Sequence, residues 1–224
     1  MNTLLLIRHG QSDQHLRDIT GGWTDTRLTD LGRMQAQRVG ERIKRLLGPR
    51  PARLVGSDLV RAAEFARIIG GTCAMEPHFY EELRELNNGD AINLSRAKAK
   101  EIEQPITEPL HEWVPYPHAE SWRMMTERIH GFMELLNPLV ADTAIVVTHG
   151  NTGVAIIQWW LGLTVPVIPA ISFELDPASI TILRLNFWNE RAIAKLNDTA
   201  HLHGLEADEL KLLPHPRHPG GLDL

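Results

Sequence analysis

Apolar residues follow two rhythms along this chain. Short runs, Thr3 to Ile7, Arg53 to Gly56 and Ala144 to Val147, are bounded by polar residues, as strands buried in a sheet are. Between the first two runs, Leu31, Met34, Val39, Ile43, Leu46 and Leu47 recur at helical spacing. Thr29 is placed to cap that helix, and Gly48-Pro49 stops it. A second helix is predicted from Ser57 through Ala62, Ala63, Phe65, Ala66, Ile68 and Ile69 to Gly70-Gly71, with a third strand around Cys73 to Glu76. Strand, helix, strand, helix, strand is the order of a parallel sheet covered by helices.

The rhythm breaks after residue 86. Residues 87–120 carry several prolines, polar turns such as Asn87-Asn88-Gly89-Asp90 and little apolar period outside Ile92 to Ile102. They read as a lid inserted over the carboxyl ends of the strands within one domain spanning residues 1–224. Helices are then predicted over Glu120 to Leu136 and Asn151 to Leu161, the latter with Trp159-Trp160 as core residues. Strands are predicted over Ser172 to Leu175 and Ser179 to Leu185, joined by an Asp176-Pro177 turn, and over Ala192 to Leu196. The tail, residues 203–224, reads as partly loose. The expected fold is an α/β three-layer sandwich: a mostly parallel central sheet, helices on both faces and the lid.

Composition narrows the chemistry. The chain has 224 residues, enough for a sizeable core, with 43% hydrophobic and 23% charged residues. Net charge is −5, which argues against a broad nucleic-acid face but allows a local cationic pocket. Cys73 is the single cysteine, so no internal disulfide framework exists, and a reducing, cytoplasmic compartment is the simplest expectation. The apolar start is too short for a secretory h-region, and the longest apolar stretches are too short to span a bilayer. His201 and His203 form an H-x-H pair, with His215 and His218 beyond it, but no carboxylate or cysteine pattern completes a metal site. Neither a metal nor a cofactor is expected.

Two strand ends carry unusual residues. The first strand runs out into Arg8-His9-Gly10, and Ala144 to Val147 into Thr148-His149-Gly150. In a parallel sheet both ends open on one edge, where ligands of such sheets bind. Arg61 sits early in the second helix, at the same edge. Guanidinium groups hold phosphate oxygens bidentately and stay charged, so two histidines with two arginines suit a phosphoryl group without a metal ion.

At this point the chain resembles the histidine phosphatase superfamily, the phosphoglycerate-mutase-like fold. The likeness rests on Arg8-His9-Gly10-Gln11-Ser12, Leu28 to Ala36, Ser57-Asp58-Leu59-Val60-Arg61-Ala62, Leu83-Arg84-Glu85-Leu86, Val147-Thr148-His149-Gly150 and Leu196 to Leu202, in that order. The resemblance implies that His9 is the nucleophile and that Arg8, Arg61 and His149 hold the phosphoryl oxygens. It also makes Glu85, favoured over the neighbouring Glu82, the general acid and base. Gln11 and Ser12 either donate to phosphate or shape the turn. His15 stands where the family usually has an asparagine at the phosphate. Gly21, Gly22 and Gly150 are candidate backbone contacts.

Within that family, mutases typically carry basic residues in the lid, including an adjacent arginine pair. Here Arg96, Lys98 and Lys100 face Asp90, Glu101, Glu103, Glu108, Glu112 and Glu120, and there is no arginine pair. The expectation is therefore a phosphatase acting on a small phosphorylated metabolite, with phosphoglycerate mutase as the alternative. A non-catalytic or phosphotransfer regulatory protein of the same fold is the second alternative. Trp113, Tyr116 and His118 either line a substrate site or pack the lid. No nucleic-acid or membrane partner is expected, and a homodimer is compatible with the sequence.

Overall fold

The computed structural model describes residues 1–164 and 167–205; the part of the expected tail from residue 206 on, with His215 and His218, lies outside the described residues. In chain order the elements are β1 (Thr3–Arg8), α1 (Asp13–Leu16), α2 (Asp30–Leu47), β2 (Ala52–Ser57), α3 (Val60–Cys73), β3 (His78–Tyr80), α4 (Arg96–Glu101), α5 (Trp122–Leu136), β4 (Thr143–Thr148), α6 (Gly150–Leu161), β5 (Ile180–Leu185) and β6 (Arg191–Asp198). The strands form one six-stranded sheet in the order β3-β2-β4-β1-β5-β6. The pairs β3·β2, β2·β4 and β4·β1 are parallel, and β5 runs antiparallel to both β1 and β6. This is the mostly parallel α/β sandwich expected.

Alternation along the strands builds two cores. Leu4 and Leu6 of β1 with Ala144 and Val146 of β4 face α5 and α6, where Ile129, Met133, Ile156, Trp159 and Trp160 are buried. Leu5 and Ile7 with Ile145 and Val147 face α2 and α3, meeting Val39, Ile43, Phe65 and Ile69. Because β1 and β4 are covered on both faces, they read as unbroken apolar runs. Thr29 caps α2 as expected, its side chain accepting from the Gly32 amide at 3.1 Å.

Three local expectations are corrected. The second helix starts at Val60, because Ser57 still belongs to β2, and it continues through Gly70 and Gly71 to Cys73. These glycines are not stops. A Cβ on Gly70 would lie 2.4 Å from the Met75 carbonyl oxygen, so glycine there admits the returning chain, and Ala74 ends the helix in the left-handed region at φ 54°. The third strand is consequently not Cys73 to Glu76 but His78–Tyr80. Ser172 to Leu175 is not a strand either. The chain around it is held by side chains instead of a ladder: Arg8 donates to the Leu175 carbonyl, and the Asp176 amide donates to Asn197 Oδ1 at 2.7 Å. The turn at Asp176-Pro177 is present, closed by the Ser179 amide on the Asp176 carbonyl at 3.0 Å.

Residues 87–120 contain α4 and several short turns, and they dock on the loop after α1. The Thr20 amide donates to the Leu94 carbonyl at 3.0 Å, and the Asn93 amide donates to Thr24 Oγ1 at 3.0 Å. Gly22, at φ 62°, lies so close to Leu86 and Asn88 that a Cβ there would come within 2.7 Å of the Leu86 carbonyl oxygen. Trp113, Tyr116 and His118 line a cleft within this segment, and none of the strand-end histidines or arginines contributes to its wall. Among the described residues no helix is long and apolar enough to cross a membrane.

Candidate active site

Strand register brings the two histidines together. β1 and β4 pair in parallel with Arg8 opposite Thr148, so the next residues, His9 and His149, leave the sheet side by side. The His9 amide continues the ladder to the Thr148 carbonyl at 2.9 Å, and the two rings meet edge to face with centroids 5.0 Å apart. β2 lies on the other side of β4, with Gly56 opposite Val147, and the helix that follows it delivers Arg61. Gly10 lets the chain turn away directly after His9. A Cβ at that position would come within 2.7 Å of Gln35 Oε1 and 2.8 Å of the Phe65 ring.

Hydrogen bonds fix the His9 tautomer. Nδ1 lies 2.8 Å from the Gly10 carbonyl oxygen, which can only accept, so Nδ1 carries the proton. Nε2 then holds a lone pair, and it accepts from Arg61 Nε at 3.1 Å. Arg61 is fully buried and is held like a fork, Nη1 on the Thr24 carbonyl at 2.7 Å and Nη2 on the Gly22 carbonyl at 2.8 Å. Burial lowers its pKa to about 10, which leaves it a cation at neutral pH. His9 and His149 are both pushed well below the usual histidine pKa, first by burial and then by the neighbouring guanidinium of Arg61. Both imidazoles are therefore neutral in the folded protein.

At this edge two buried nitrogens have no partner: Arg8 Nε and His149 Nδ1. Buried polar atoms left unpaired are costly and call for an explanation. Arg8 spends one nitrogen on the Leu175 carbonyl, and another lies 3.4 Å from His15 Nε2. The Ser12 amide donates to His15 Nδ1 at 2.9 Å, so Nε2 carries the proton and the contact with Arg8 sets donor against donor. Although solvent reaches part of the His15 ring, the surrounding protein and then the Arg8 charge lower its pKa to about 4.

Glu85 reaches the same place from the segment after β3. Its carboxylate accepts from the amides of Leu86 at 2.9 Å, Thr152 at 3.2 Å and Asn151 at 3.2 Å, the last two being first-turn donors of α6. A Cβ built on Gly150 would stand 3.7 Å from the Arg8 guanidinium and 3.8 Å from Glu85 Oε2, so this glycine borders both groups.

A family model described as histidine phosphatase superfamily (branch 1) matches residues 4–199. The chain belongs to that superfamily. A 2,3-bisphosphoglycerate-dependent phosphoglycerate mutase of Brucella melitensis biotype 2 is 32% identical over 197 residues, covering 82% of this chain and 92% of the relative. A solved mycobacterial glucosyl-3-phosphoglycerate phosphatase in complex with VO3 superposes with a TM-score of 0.72 at 26% identity, over 89% of this chain and all of that one (100%). The α-ribazole phosphatase of Shigella flexneri shares the fold, with a TM-score of 0.71 at 21% identity over 88% of this chain and 96% of its own. Mutase and phosphatase are both phosphoryl-transfer names, which supports that chemistry for this histidine phosphatase family member.

The structure gathers Arg8, His9, Arg61, Glu85, His149, Gly150 and His15 at one sheet edge. Gln11 serves the turn: its amide donates to Gln35 Oε1 and its Oε1 accepts from Thr29 Oγ1, both at 2.8 Å. Ser12 is buried and caps α1. Gly21 has its carbonyl on the Thr24 amide, and it is Gly22 that touches the cluster by holding Arg61. Sequence reasoning missed Ser57, whose hydroxyl lies 2.9 Å from His149 Nε2, and Arg128, which binds the backbone around Glu85. Ser57 stands inside a quoted motif, but a motif does not reveal where a hydroxyl points. Arg128 is one of two arginines on an amphipathic helix, with Arg123, and leaves no signal. Among the described residues no group of three or more His, Cys, Asp or Glu side chains is arranged to hold a metal ion, so His201 and His203 gain no third ligand.

Proposed function

We propose that this protein is a metal-independent phosphomonoesterase that hydrolyses a small phosphorylated metabolite through a phosphohistidine on His9. The observation that carries the reading is the pair of buried, unpartnered nitrogens Arg8 Nε and His149 Nδ1, both donors when the Ser57 O–H bonds to His149 Nε2, beside the His9 Nε2 lone pair. A phosphoryl group supplies the oxygens these donors lack. It also fits between Arg8 and His15 Nε2–H, two donors that an anion reconciles. In the first step the Arg61 Nε–H turns its hydrogen bond from His9 Nε2 to a phosphoryl oxygen, the freed Nε2 lone pair bonds to phosphorus, the bond to the alcohol oxygen breaks, and Glu85 gives that oxygen its proton. In the second, water attacks phosphorus, Glu85 takes its proton, and the P–N bond breaks. Arg8, Arg61 and His149 stabilise the charge on the equatorial oxygens in both steps. Gln11 and Ser12 shape the turn that presents His9, and Gly150 keeps the space between Arg8 and Glu85 open.

Release to water rather than return to a second position is supported by the cations around Glu85. Arg84 is bonded by both carboxylate oxygens of Asp58, and Arg128 by those of Glu120. Paired in this way, neither offers a free charge for the second anionic group of a phosphorylated sugar acid. The curated relatives named as mutases at 32% identity favour a second reading, phosphoglycerate mutase. Incubation with 3-phosphoglycerate plus its bisphosphate primer, beside a panel of phosphomonoesters, separates the two. Inorganic phosphate release with little isomerisation is expected, and efficient isomerisation overturns the phosphatase reading. Replacing His9 by Ala is expected to abolish turnover and any acid-labile, base-stable phosphoenzyme. Retained turnover removes His9 as the nucleophile.

A further inference from the structure

The segment that carries Glu85 has almost no backbone ladder of its own, and side chains take its carbonyls one after another. Arg128 Nη1 donates to the Glu82 carbonyl at 2.6 Å and the Arg84 carbonyl at 3.2 Å. Thr148 Oγ1 donates to the Leu83 carbonyl at 2.8 Å, and Thr152 Oγ1 to the Arg84 carbonyl at 2.7 Å. The Glu85 carbonyl receives Trp23 Nε1 at 2.6 Å and Arg128 Nη2 at 3.3 Å. Thr148 and Thr152 flank His149, so their bonds tie the segment to β4 and α6. Arg128 does something else. It is the one of these side chains that spans the whole stretch, gripping three of the four carbonyls from Glu82 to Glu85.

Arg128 is itself held in place. Its Nε donates to Glu120 Oε1 at 2.8 Å and its Nη2 to Glu120 Oε2 at 2.7 Å, a fork-on-carboxylate geometry that fixes the guanidinium plane. Both side chains are mostly covered, 19% and 13% exposed. Glu120 in turn joins the two roots of the 87–120 excursion, because its Oε2 accepts from the Asn87 amide at 3.0 Å and its own amide donates to the Asn87 carbonyl at 2.9 Å. One arginine thus connects the base of the insertion to the backbone of Glu85.

We propose that Arg128 is a positioning residue, which with Glu120 holds the Glu85 backbone where its carboxyl meets the leaving oxygen and couples that placement to the base of the 87–120 segment. The inference rests on the proposed role of Glu85 as acid and goes beyond it. Arg128 bonds to neither His9 nor the groups proposed to hold the phosphoryl oxygens. Its charge reaches His149 at longer range, a charge that Arg128→Lys keeps, and its contact with the site runs through the backbone of Glu85. Proton transfer to a leaving group is sensitive to placement on the ångström scale. Loosening the clamp therefore weakens the acid while leaving the nucleophile and the oxygen-binding groups intact.

The test is the dependence of kcat/KM on leaving-group pKa, from 4-nitrophenyl phosphate to simple alkyl phosphates, in the full chain and in Glu85→Gln, Arg128→Lys and Glu120→Gln. Urea midpoints confirm that each variant is folded. Good leaving groups need little protonation, so Arg128→Lys and Glu120→Gln are expected to lose less than about 3-fold on 4-nitrophenyl phosphate and about 10- to 100-fold on alkyl phosphates. Their slopes steepen towards that of Glu85→Gln. A structural role alone lowers every substrate by the same factor, and that outcome overturns the proposal. A steep slope in Glu85→Gln with wild-type slopes in Arg128→Lys and Glu120→Gln overturns the positioning role and leaves Glu85 as the acid. An unchanged slope in Glu85→Gln overturns the acid role and this inference with it.

Discussion

The Ser57 hydroxyl, 2.9 Å from His149 Nε2, also accepts the Leu59 amide at 3.3 Å. With its oxygen receiving Leu59 N–H, Ser57 has its own O–H free to donate to His149. When that O–H donates to Nε2, the ring proton of His149 sits on Nδ1, the buried atom with no partner. Ser57 thereby turns His149 into a donor aimed at the proposed phosphoryl site. Ser57→Ala removes the bond that selects this tautomer. Inorganic phosphate or vanadate inhibition is expected to weaken about 10-fold, with a loss of about 1 kcal/mol in folding stability. Titration of product inhibition beside urea unfolding checks both, and unchanged inhibition by both anions defeats the assignment.

Arg61 presents a larger dependence, because it satisfies two buried carbonyls and the His9 ring at once. Arg61→Ala leaves the carbonyls of Gly22 and Thr24 without their donor and frees the loop that the 87–120 segment docks on. The expected cost is about 3–6 kcal/mol of stability, at 1.5–3 kcal/mol for each bond to a charged group. Arg61→Lys keeps the charge but cannot fill the fork, and is expected to recover about half. Chemical denaturation reads both values. A loss below about 1 kcal/mol in the alanine variant means that the loop finds other donors.

Metal independence is expected because Arg8 and Arg61 supply the positive charge that a divalent ion would bring to the phosphoryl oxygens. Dialysis against EDTA should leave turnover of an aryl phosphate within about 2-fold, and added magnesium should not raise it. Loss of activity in chelator, restored by a divalent ion, contradicts the mechanism.

The sequence carried the frame of this site and left out its fastenings. β1 and β4 are legible because each is buried on both faces, and the glycines after His9 and His149 mark the strand ends. Their closeness follows once the strands are parallel neighbours. The strand order, with β4 between β1 and β2, is set by pairing Thr143 with both Thr3 and Ala52, far apart in the chain, and leaves no local trace. Gly70 and Gly71 misled as helix stops because a glycine that makes room for a neighbouring carbonyl looks, in sequence, like one that ends a helix. Ser172 to Leu175 misled because its apolar residues suggest a strand, whereas Arg8 and Asn197 satisfy the backbone there. The pairings Arg84 with Asp58 and Arg128 with the carbonyls around Glu85 join residues 26 to 46 positions apart, beyond the reach of any periodicity.

Acid should destabilise this protein well above the pH at which carboxylates titrate. His9 and His149 have folded pKa values well below the ordinary histidine value of 6.5, and His15 one of about 4. Below pH 6.5 the unfolded chain takes up protons that the folded chain refuses, so falling pH favours unfolding. The stability these groups allow is fully present above that value and declines as pH drops through it. The contribution of His15 levels off below about 4, and that of the buried pair below their own lowered pKa values. Each of the two buried histidines, His9 and His149, when protonated only in the unfolded chain adds up to about 1.4 kcal/mol per pH unit to the slope, and the solvent-exposed His15 adds less. Asp58 and Asp142, whose pKa values lie below the usual 3.8, act in the same direction only at lower pH, so urea midpoints between pH 7 and 5 isolate the histidines. The midpoint is expected to fall steadily across that window, and His149→Asn is expected to fall less steeply than the parent whatever its absolute stability. A midpoint that stays level from pH 7 to 5 means that these imidazoles accept protons in the folded state, and the neutral nucleophile is then lost as well.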